Sequence, residues 1–406
     1  MTFALLYMDV TNLGDIIIYD NARYLLEKVI KDNGIEDSEI LPVDIGGYNF
    51  KEMQVPSYVD RMDKVSEKVM ELSKKQKLYK RFPNLARRMM LWAWRHSKQY
   101  YCFKKTEMPK LEKSDIIIFG GGGLIKYHQQ TFHFTIDTVT RFANRKGVPV
   151  IINSVGVEGY EEGHPGCMLL KKALNLDCIK YISTRDDFEV LKNNFMTNPR
   201  IKVESVCDPA FWTKETYGVE KKEPQEEKRV GLNTIRFGIF RKYMYKVNRN
   251  KLDEMYRDLA FRLHDDGYKV EFFTNGVVGD INYINKLMEK YPELEEITSI
   301  TQPQTPKELV ELISGYDRYL AARLHASIVG SVLGVPNVSL VWNIKQILFG
   351  EMVGMPQNYL TKEAFNADTV YERLMAAEPY VMNEELKYTV YNGLEQAILE
   401  NIRHEA

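Results

Sequence analysis

The chain has 406 residues, of which 44% are hydrophobic and 27% charged, and a formal net charge of −1 at neutral pH. That composition supports a packed core spread over two or three ordinary domains and excludes a globally disordered chain. The charge balance excludes a polyanion-binding molecule as a whole, although it leaves room for a local basic patch.

In chain order, "FALLYMDV" (3–10) reads as a buried strand, followed by a turn and a helix over 15–32. "DIIIFGGGG" (115–123), "VPVIINSVG" (148–156) and "CIKYISTRD" (178–186) are the next strands, with helices predicted over 129–146, 165–175 and 186–195. Uninterrupted apolar strands alternating with amphipathic helices predict a parallel sheet covered on both faces. "CDPAFW" (207–212) is expected to give a short strand, a turn and an aromatic anchor that closes the first domain. Residues 213–228 are charged and lack an apolar period, so they read as a linker. A second α/β series comes next, with strands over 229–235, 268–276, 296–300, 318–322 and 337–342. Its helices are expected over 251–266, 279–291, 305–315 and 325–334, and 383–403 is an amphipathic helix. The expected fold is α/β, two doubly wound (Rossmann-like) domains facing a cleft: 1–212, a linker 213–228, 229–382, and a C-terminal helix 383–406. Ligands are expected at the C-terminal ends of the strands.

The segment 73–105 stands apart, with eleven Lys/Arg, no Asp/Glu and seven Tyr, Phe or Trp residues. Two readings stand beside each other: an anionic membrane surface, where aromatic rings sit at headgroup level, or a lobe-covering helix with a solvated basic face. No recognised nucleic-acid motif is present. Cys102, Cys167, Cys178 and Cys207 form no C-x-x-C pair and no zinc-ligand spacing, which fits free thiols in a reducing compartment. The N-terminus lacks a secretory pattern and no apolar run is long enough to span a bilayer. A cytoplasmic protein, peripheral at most to the inner face of the cell membrane, is expected.

Several strand exits carry polar or glycine-rich turns. In "TNLGD" (11–15), Asn12 and Gly14 make a tight turn and Asp15 is placed to cap the next helix, either as an anion site or as an ordinary strand–helix turn. "FGGGGLI" (119–125) matches neither G-x-G-x-x-G nor a Walker loop, yet Gly121 and Gly122 allow close approach of a ligand to the backbone. Ser154 in "NSVGVEG" (153–159) faces the same edge. Arg185 in "STRDDFEVL" (183–191) is either a ligand cation or half of a surface salt bridge, and Asp186 or Asp187 caps the next helix. In "YLAARLHASIVGSVLGVP" (319–336), Arg323 and His325 stand where a buried strand meets a buried helix, and Lys345 comes after the last strand in "WNIKQILF" (342–349). Arg, His and Lys at adjacent strand ends suit a small, multiply charged anion bearing phosphate or carboxylate.

Taken in order, "NLGD", "DIIIFGGGGLI", "VPVIINSVG", "STRDDFEVL", "CDPAF", "ARLHASIVGSVLGVP" and "NIKQILF" resemble the polysaccharide pyruvyl transferase family over nearly the whole chain. The resemblance implies a two-domain GT-B-like fold. It also implies transfer of a pyruvyl group from phosphoenolpyruvate to sugar hydroxyls, leaving a pyruvate ketal. It places His325 and Arg323 at the phosphoenolpyruvate site, with Arg185 and Lys345 as further basic positions. The basic insertion 73–105 departs from the family pattern and leaves the acceptor side undefined. His325 is the expected general acid or phosphate partner. No cofactor or metal is expected, phosphoenolpyruvate being the donor substrate and a sugar or lipid-linked oligosaccharide the acceptor. The rival reading is a nucleotide-sugar glycosyltransferase of the same architecture, with Glu308 and Glu311 in "TPKELVELISGYD" (305–317) as its nucleotide site. A non-catalytic anion sensor on the membrane is the rival of another class.

Overall fold

Six strands, β1 (Thr2–Tyr7), β2 (Glu39–Asp44), β3 (Ile116–Lys126), β4 (Val150–Glu158), β5 (Ile179–Thr184) and β6 (Lys202–Ser205), pair in the order β2-β1-β3-β4-β5-β6. Every neighbour is parallel. A second sheet contains β7 (Arg229–Asn233), β8 (Lys269–Phe273), β9 (Thr298–Thr301), β10 (Arg318–Ala321), β11 (Asn337–Leu340) and β12 (Tyr359–Leu360). Its order is β12-β11-β10-β7-β8-β9, again all parallel. These assignments come from a computed structural model that describes residues 1–8, 12–47, 50, 53–127, 132–223, 226–242 and 246–402.

The inner strands earn their position by composition. Phe3 to Leu6 of β1, Ile116 to Phe119 of β3 and Val150 to Ile152 of β4 are all buried, as strands covered on both faces must be. In each sheet the chain winds outward one way from the first strand and then returns to its other side. That reversal falls between β1 and β3 in the first sheet and between β7 and β10 in the second. In open α/β sheets, ligands bind at such reversals, outside the carboxyl ends of the strands.

The chain divides into two units, one made of Met1–Val10, Ile18–Pro209 and Glu385–Ala406, the other of Thr11–Ile17 and Ala210–Glu384. The C-terminal helix forms as expected, and two other expectations differ. The terminal helix Glu384–Ile402 packs with the first unit, where Tyr391 donates to Asp32 at 2.7 Å and Asn153 donates to the Val390 carbonyl at 3.3 Å. The segment expected as a linker from 213 begins with a helix, Thr213–Tyr217. Its left-handed C-cap, Gly218, ends it before the charged stretch. The expected strand in 207–212 is a 3-10 turn, Pro209–Trp212, because Pro209 removes a ladder donor; the strand lies just before it, at β6. Of the predicted helix 129–146, residues 129–131 lie outside the described residues, and the helix runs Phe132–Lys146.

Five helices matter below: α1 (Leu13–Asp32), α2 (Ser57–Ser73), α3 (Gln76–Arg81), α4 (Pro83–Arg95) and α5 (Lys98–Thr106). The basic segment 73–105 therefore folds as α3, α4 and α5. α4 buries Ala86, Met90, Ala93 and Trp94 on one side, and Met90 and Trp94 pack with Phe134 and Leu169.

Candidate active site

In the second unit, β7 ends in Asn233, whose carboxamide is fully buried. Its Nδ2 donates to the Phe273 carbonyl at 3.3 Å and to Asn275 Oδ1 at 3.1 Å, at the exit of β8. Its Oδ1 accepts from the Ala322 and Arg323 backbone N–H groups, at 3.1 and 3.0 Å, at the exit of β10. One side chain thus fastens three strand ends at the sheet's reversal point. A buried amide this fully used is costly to replace, because its partners would lose their bonds together.

Arg323 is the residue before the helix Leu324–Leu333. Its Nε and Nη2 donate to Asp280 Oδ2, at 2.8 and 2.5 Å. Asp280 lies in the first turn of the helix Val278–Lys290, and its other oxygen accepts from the Arg236 backbone N–H at 2.9 Å. The aspartate is fully buried, whereas the Arg323 side chain keeps 12% of its surface exposed. The arginine is therefore aimed by a carboxylate without being sealed off. His325 lies in the first turn of the same helix, where the helix dipole favours negative charge.

The "NLGD" turn belongs to this unit as well. The Leu13 N–H donates to the Asn275 carbonyl at 3.0 Å, which seats the turn on the exit of β8. Gly14 meets His325 directly: a Cβ at position 14 would lie 2.8 Å from His325 Cβ and 2.9 Å from its Nδ1. Glycine is required here by proximity, since any side chain would displace the imidazole. The helix start differs from expectation. α1 begins at Leu13, so Asn12 is the cap, its Oδ1 accepting from the Gly14 N–H at 3.2 Å. Asp15 sits in the first turn and accepts from Asn12 Nδ2 at 2.9 Å. Asparagine caps as well as aspartate does, which is why the sequence alone favoured the wrong one of the two.

Lys345 comes after β11 in the first turn of the helix Ile344–Met352, capped by Asn343. It is buried. The nearby Trp342 indole donates to the Ala322 carbonyl at 2.6 Å, tying this strand exit to the one that carries Arg323. The second unit thus brings Asn12, Gly14, Asp15, Arg323 and His325 together and places Lys345 one strand over.

Gly121, Gly122, Ser154 and Arg185 lie in the first unit. Gly121 and Gly122 have φ of +87° and +85°, which the sequence anticipated in a run of glycines. A Cβ on Gly121 would come within 2.8 Å of Ile18, so the run packs tightly against the protein itself. Ser154 is a fully buried non-glycine residue at φ +54°, and its hydroxyl donates to the Cys207 carbonyl at 2.8 Å. Arg185 forms a buried ion pair with Asp208; the surface salt bridge weighed from sequence is corrected, because Asp208 lies just after β6, the neighbouring strand. Asp187 caps the next turn through the Val190 N–H, while Asp186 accepts from the Val157 N–H at 2.7 Å and ties β4 to β5.

Sequence reasoning missed Asn233, Asp280 and Asp208. "GVVGD" (276–280) carried the only cue for Asp280, an acidic residue in a predicted first turn. Glu308, offered as a nucleotide residue, accepts from the Gln304 N–H at 2.8 Å while its own N–H donates to Thr305. That reciprocal pair is a helix cap. Among the described residues, no group of three or more His, Cys, Asp or Glu side chains is placed to hold a metal ion.

The sequence model of the family described as polysaccharide pyruvyl transferase matches residues 12–344. No curated protein matches the chain in sequence. Among solved structures, the UDP-GlcNAc 2-epimerase of Methanocaldococcus jannaschii aligns at 12% identity and TM-score 0.55, over 98% of this chain and 100% of its own. The Neisseria meningitidis UDP-GlcNAc 2-epimerase, solved with UDP-GlcNAc, aligns at 10% identity and TM-score 0.52, over 100% of both chains. At such identities the likeness concerns the fold, two Rossmann-like α/β domains of GT-B type.

Proposed function

The chain belongs to the polysaccharide pyruvyl transferase family, and from that premise we propose that its donor is phosphoenolpyruvate and its product a pyruvate ketal on a sugar. The acceptor is a polysaccharide or its lipid-linked precursor. The observation that supports the reading most is the meeting of the "NLGD" and "RLH" turns at the reversal point of the second sheet, with His325 packed on Gly14.

The chemistry assigns each group a task. His325 gives a proton to the methylene carbon of phosphoenolpyruvate as a first sugar hydroxyl attacks the adjacent carbon, and it recovers the proton from that hydroxyl. A second hydroxyl then displaces phosphate, which takes its proton, and the ketal closes. Arg323 and Lys345 hold the carboxylate and phosphate, and their fixed positions stabilise the charge on the departing phosphate, while Arg185, paired with Asp208, braces its own strand exit in the first unit. Asn12, Gly14 and Asp15 set the imidazole. Gly121, Gly122 and Ser154 shape the first unit's strand exits. The test is phosphate release from phosphoenolpyruvate across a panel of free and lipid-linked glycans. Full turnover by His325→Ala would sink the assignment. Thermal shifts with phosphoenolpyruvate but none with UDP- or GDP-sugars separate this reading from a nucleotide-sugar transferase.

The same reading extends to where the protein works. No helix among the described residues is long and apolar enough to cross a membrane. Yet, among the described residues, six of the eleven large apolar side chains left exposed lie between residues 58 and 92: Tyr58, Val65, Leu72, Phe82, Leu85 and Trp92. Leu85, Arg88, Trp92 and Arg95 recur on one face of α4, and Lys74, Lys75, Lys77, Lys80 and Arg81 are exposed before it. Exposed apolar anchors among basic residues complement an anionic lipid surface. Arg88→Gln/Arg95→Gln should release the protein from vesicles containing phosphatidylglycerol, and unchanged co-sedimentation would end this part of the reading.

A further inference from the structure

In α4, Arg87, Leu91 and Arg95 follow one another at intervals of four, so they line one edge of the helix. That edge runs beside the helix Phe132–Lys146. Trp94 stacks on Phe134 there, with ring centroids 5.4 Å apart, and its Nε1 donates to Thr138 at 3.0 Å. On this second helix Asp137 is buried, and Arg141, one turn further on, donates from Nε to its Oδ1 at 2.7 Å. Arg95 and Arg87 act on the same carboxylate from α4. Burial pushes the Asp137 carboxyl up, and Arg141, Arg95 and Arg87 pull against that rise.

One carboxylate therefore serves three guanidinium groups, and positive charge is left over in the groove between the two helices. Arg87 shows the shortfall. The residue is half-buried, yet its Nε is wholly buried and has no hydrogen-bond partner among the described residues. A buried donor left unmatched is costly, and a guanidinium presents its donors as a planar fork that fits two oxygens of a phosphate. The groove is open to such a ligand, since Arg141 keeps 34% of its side-chain surface exposed and Arg95 is exposed. Next to Arg88 and Arg95 on the α4 surface stand the exposed Leu85 and Trp92. A guanidinium cluster with apolar anchors beside it matches a lipid in both its parts, the phosphate in the groove and the chains against Leu85 and Trp92. Free phosphate would use the first part only.

We propose that this groove is a headgroup site and takes the phosphate of an anionic phospholipid, held by Arg87, Arg95 and Arg141. The lipid as occupant rests on the membrane reading above; that the groove binds phosphate does not. The inference narrows that reading, from attraction by a basic surface to recognition by a forked donor set. The exposed lysines before α4 supply charge alone, whereas the three arginines supply charge and shape.

The test uses the full-length protein and dihexanoylphosphatidylglycerol below its micelle concentration, followed by NMR through the arginine Nε–H signals. Wild type should bind this monomer saturably, with the Arg87 signal moving. Arg87→Lys/Arg141→Lys keeps every charge and should weaken binding about tenfold or more. Arg87→Lys alone leaves the Asp137–Arg141 pair intact and should weaken it in the same direction, which keeps the test valid if the double variant folds poorly. Inorganic phosphate at the same concentration should not compete. Absence of saturable binding, equal binding by wild type and Arg87→Lys, or displacement by inorganic phosphate would overturn the proposal, the last by assigning the groove to a free ion. Co-sedimentation with phosphatidylglycerol vesicles is measured alongside. Wild type that sediments with vesicles but ignores the monomer would leave the membrane reading standing and remove the site. Wild type that binds the monomer but not the vesicles would fail the membrane reading and leave the phosphate site standing.

Discussion

Arg185 and Arg323 both stand at the exit of a parallel strand, and both are paired with a buried aspartate. Their surroundings nevertheless differ. Around Arg185 the network closes on the protein: the pair with Asp208 is almost wholly buried, Ser154 spends its hydroxyl on the Cys207 carbonyl, and Asp186 holds the Val157 N–H. Around Arg323 the network stays ajar. Asp280 is sealed, the guanidinium is partly exposed, and a turn from the opposite end of the chain brings Gly14 against His325. The same residue types at the same kind of strand exit thus knit one region shut and equip the other.

The comparison can be broken in order of expected effect. His325→Ala should cut turnover about 10²–10⁴-fold, the range for loss of a general acid, with an unchanged melting transition. Next, Asp208→Ala strands the buried Arg185 and should cost about 3–5 kcal/mol, read from urea midpoints, while Asp280→Ala, whose partner Arg323 keeps access to solvent, should cost less. The double change Arg185→Met/Asp208→Leu removes the whole pair and should recover most of that stability. A raised KM for phosphoenolpyruvate in the double variant would support Arg185 as a donor cation. Recovered stability with an unchanged KM would confine it to structure.

Gly14→Ala ranks next, costing about 1–3 kcal/mol as an overpacked contact and lowering kcat by pushing the imidazole aside. An unaltered kcat would separate the turn from His325. The smallest effect concerns the thiols. Burial pushes Cys167 and Cys207 up to about 12 and Cys178 up to about 11, so native protein at pH 8 should resist iodoacetamide and unfolded protein should not. Because the folded thiols hold their protons more tightly than unfolded ones, their contribution to stability is complete below the ordinary value of 9.0 and is lost as pH rises towards 12.

Much of the molecule was legible from pattern. The inner strands are unbroken apolar runs, and nothing but a covered parallel sheet accommodates them. Edge strands were not: β2 is "EILPVD", with Pro42 inside it and partial exposure, and edge positions tolerate proline that central ones do not. Glu308 looked functional because a capping glutamate and a ligand-binding one are the same residue in a sequence.

What the sequence by itself determined is the architecture and the placing of polar turns at strand exits, since both arise from local periodicity and from residues that only turns accept. The tertiary structure decided which turns meet. The backbone bond from Leu13 to Asn275 seats the turn that carries Asn12 and Gly14 beside His325, far away in sequence, and Asp280 and Asp208 acquire their partners only when parallel strands align their exits. Charge compensation is a property of that alignment, and so the difference between Arg185 and Arg323 could be read only from the folded chain.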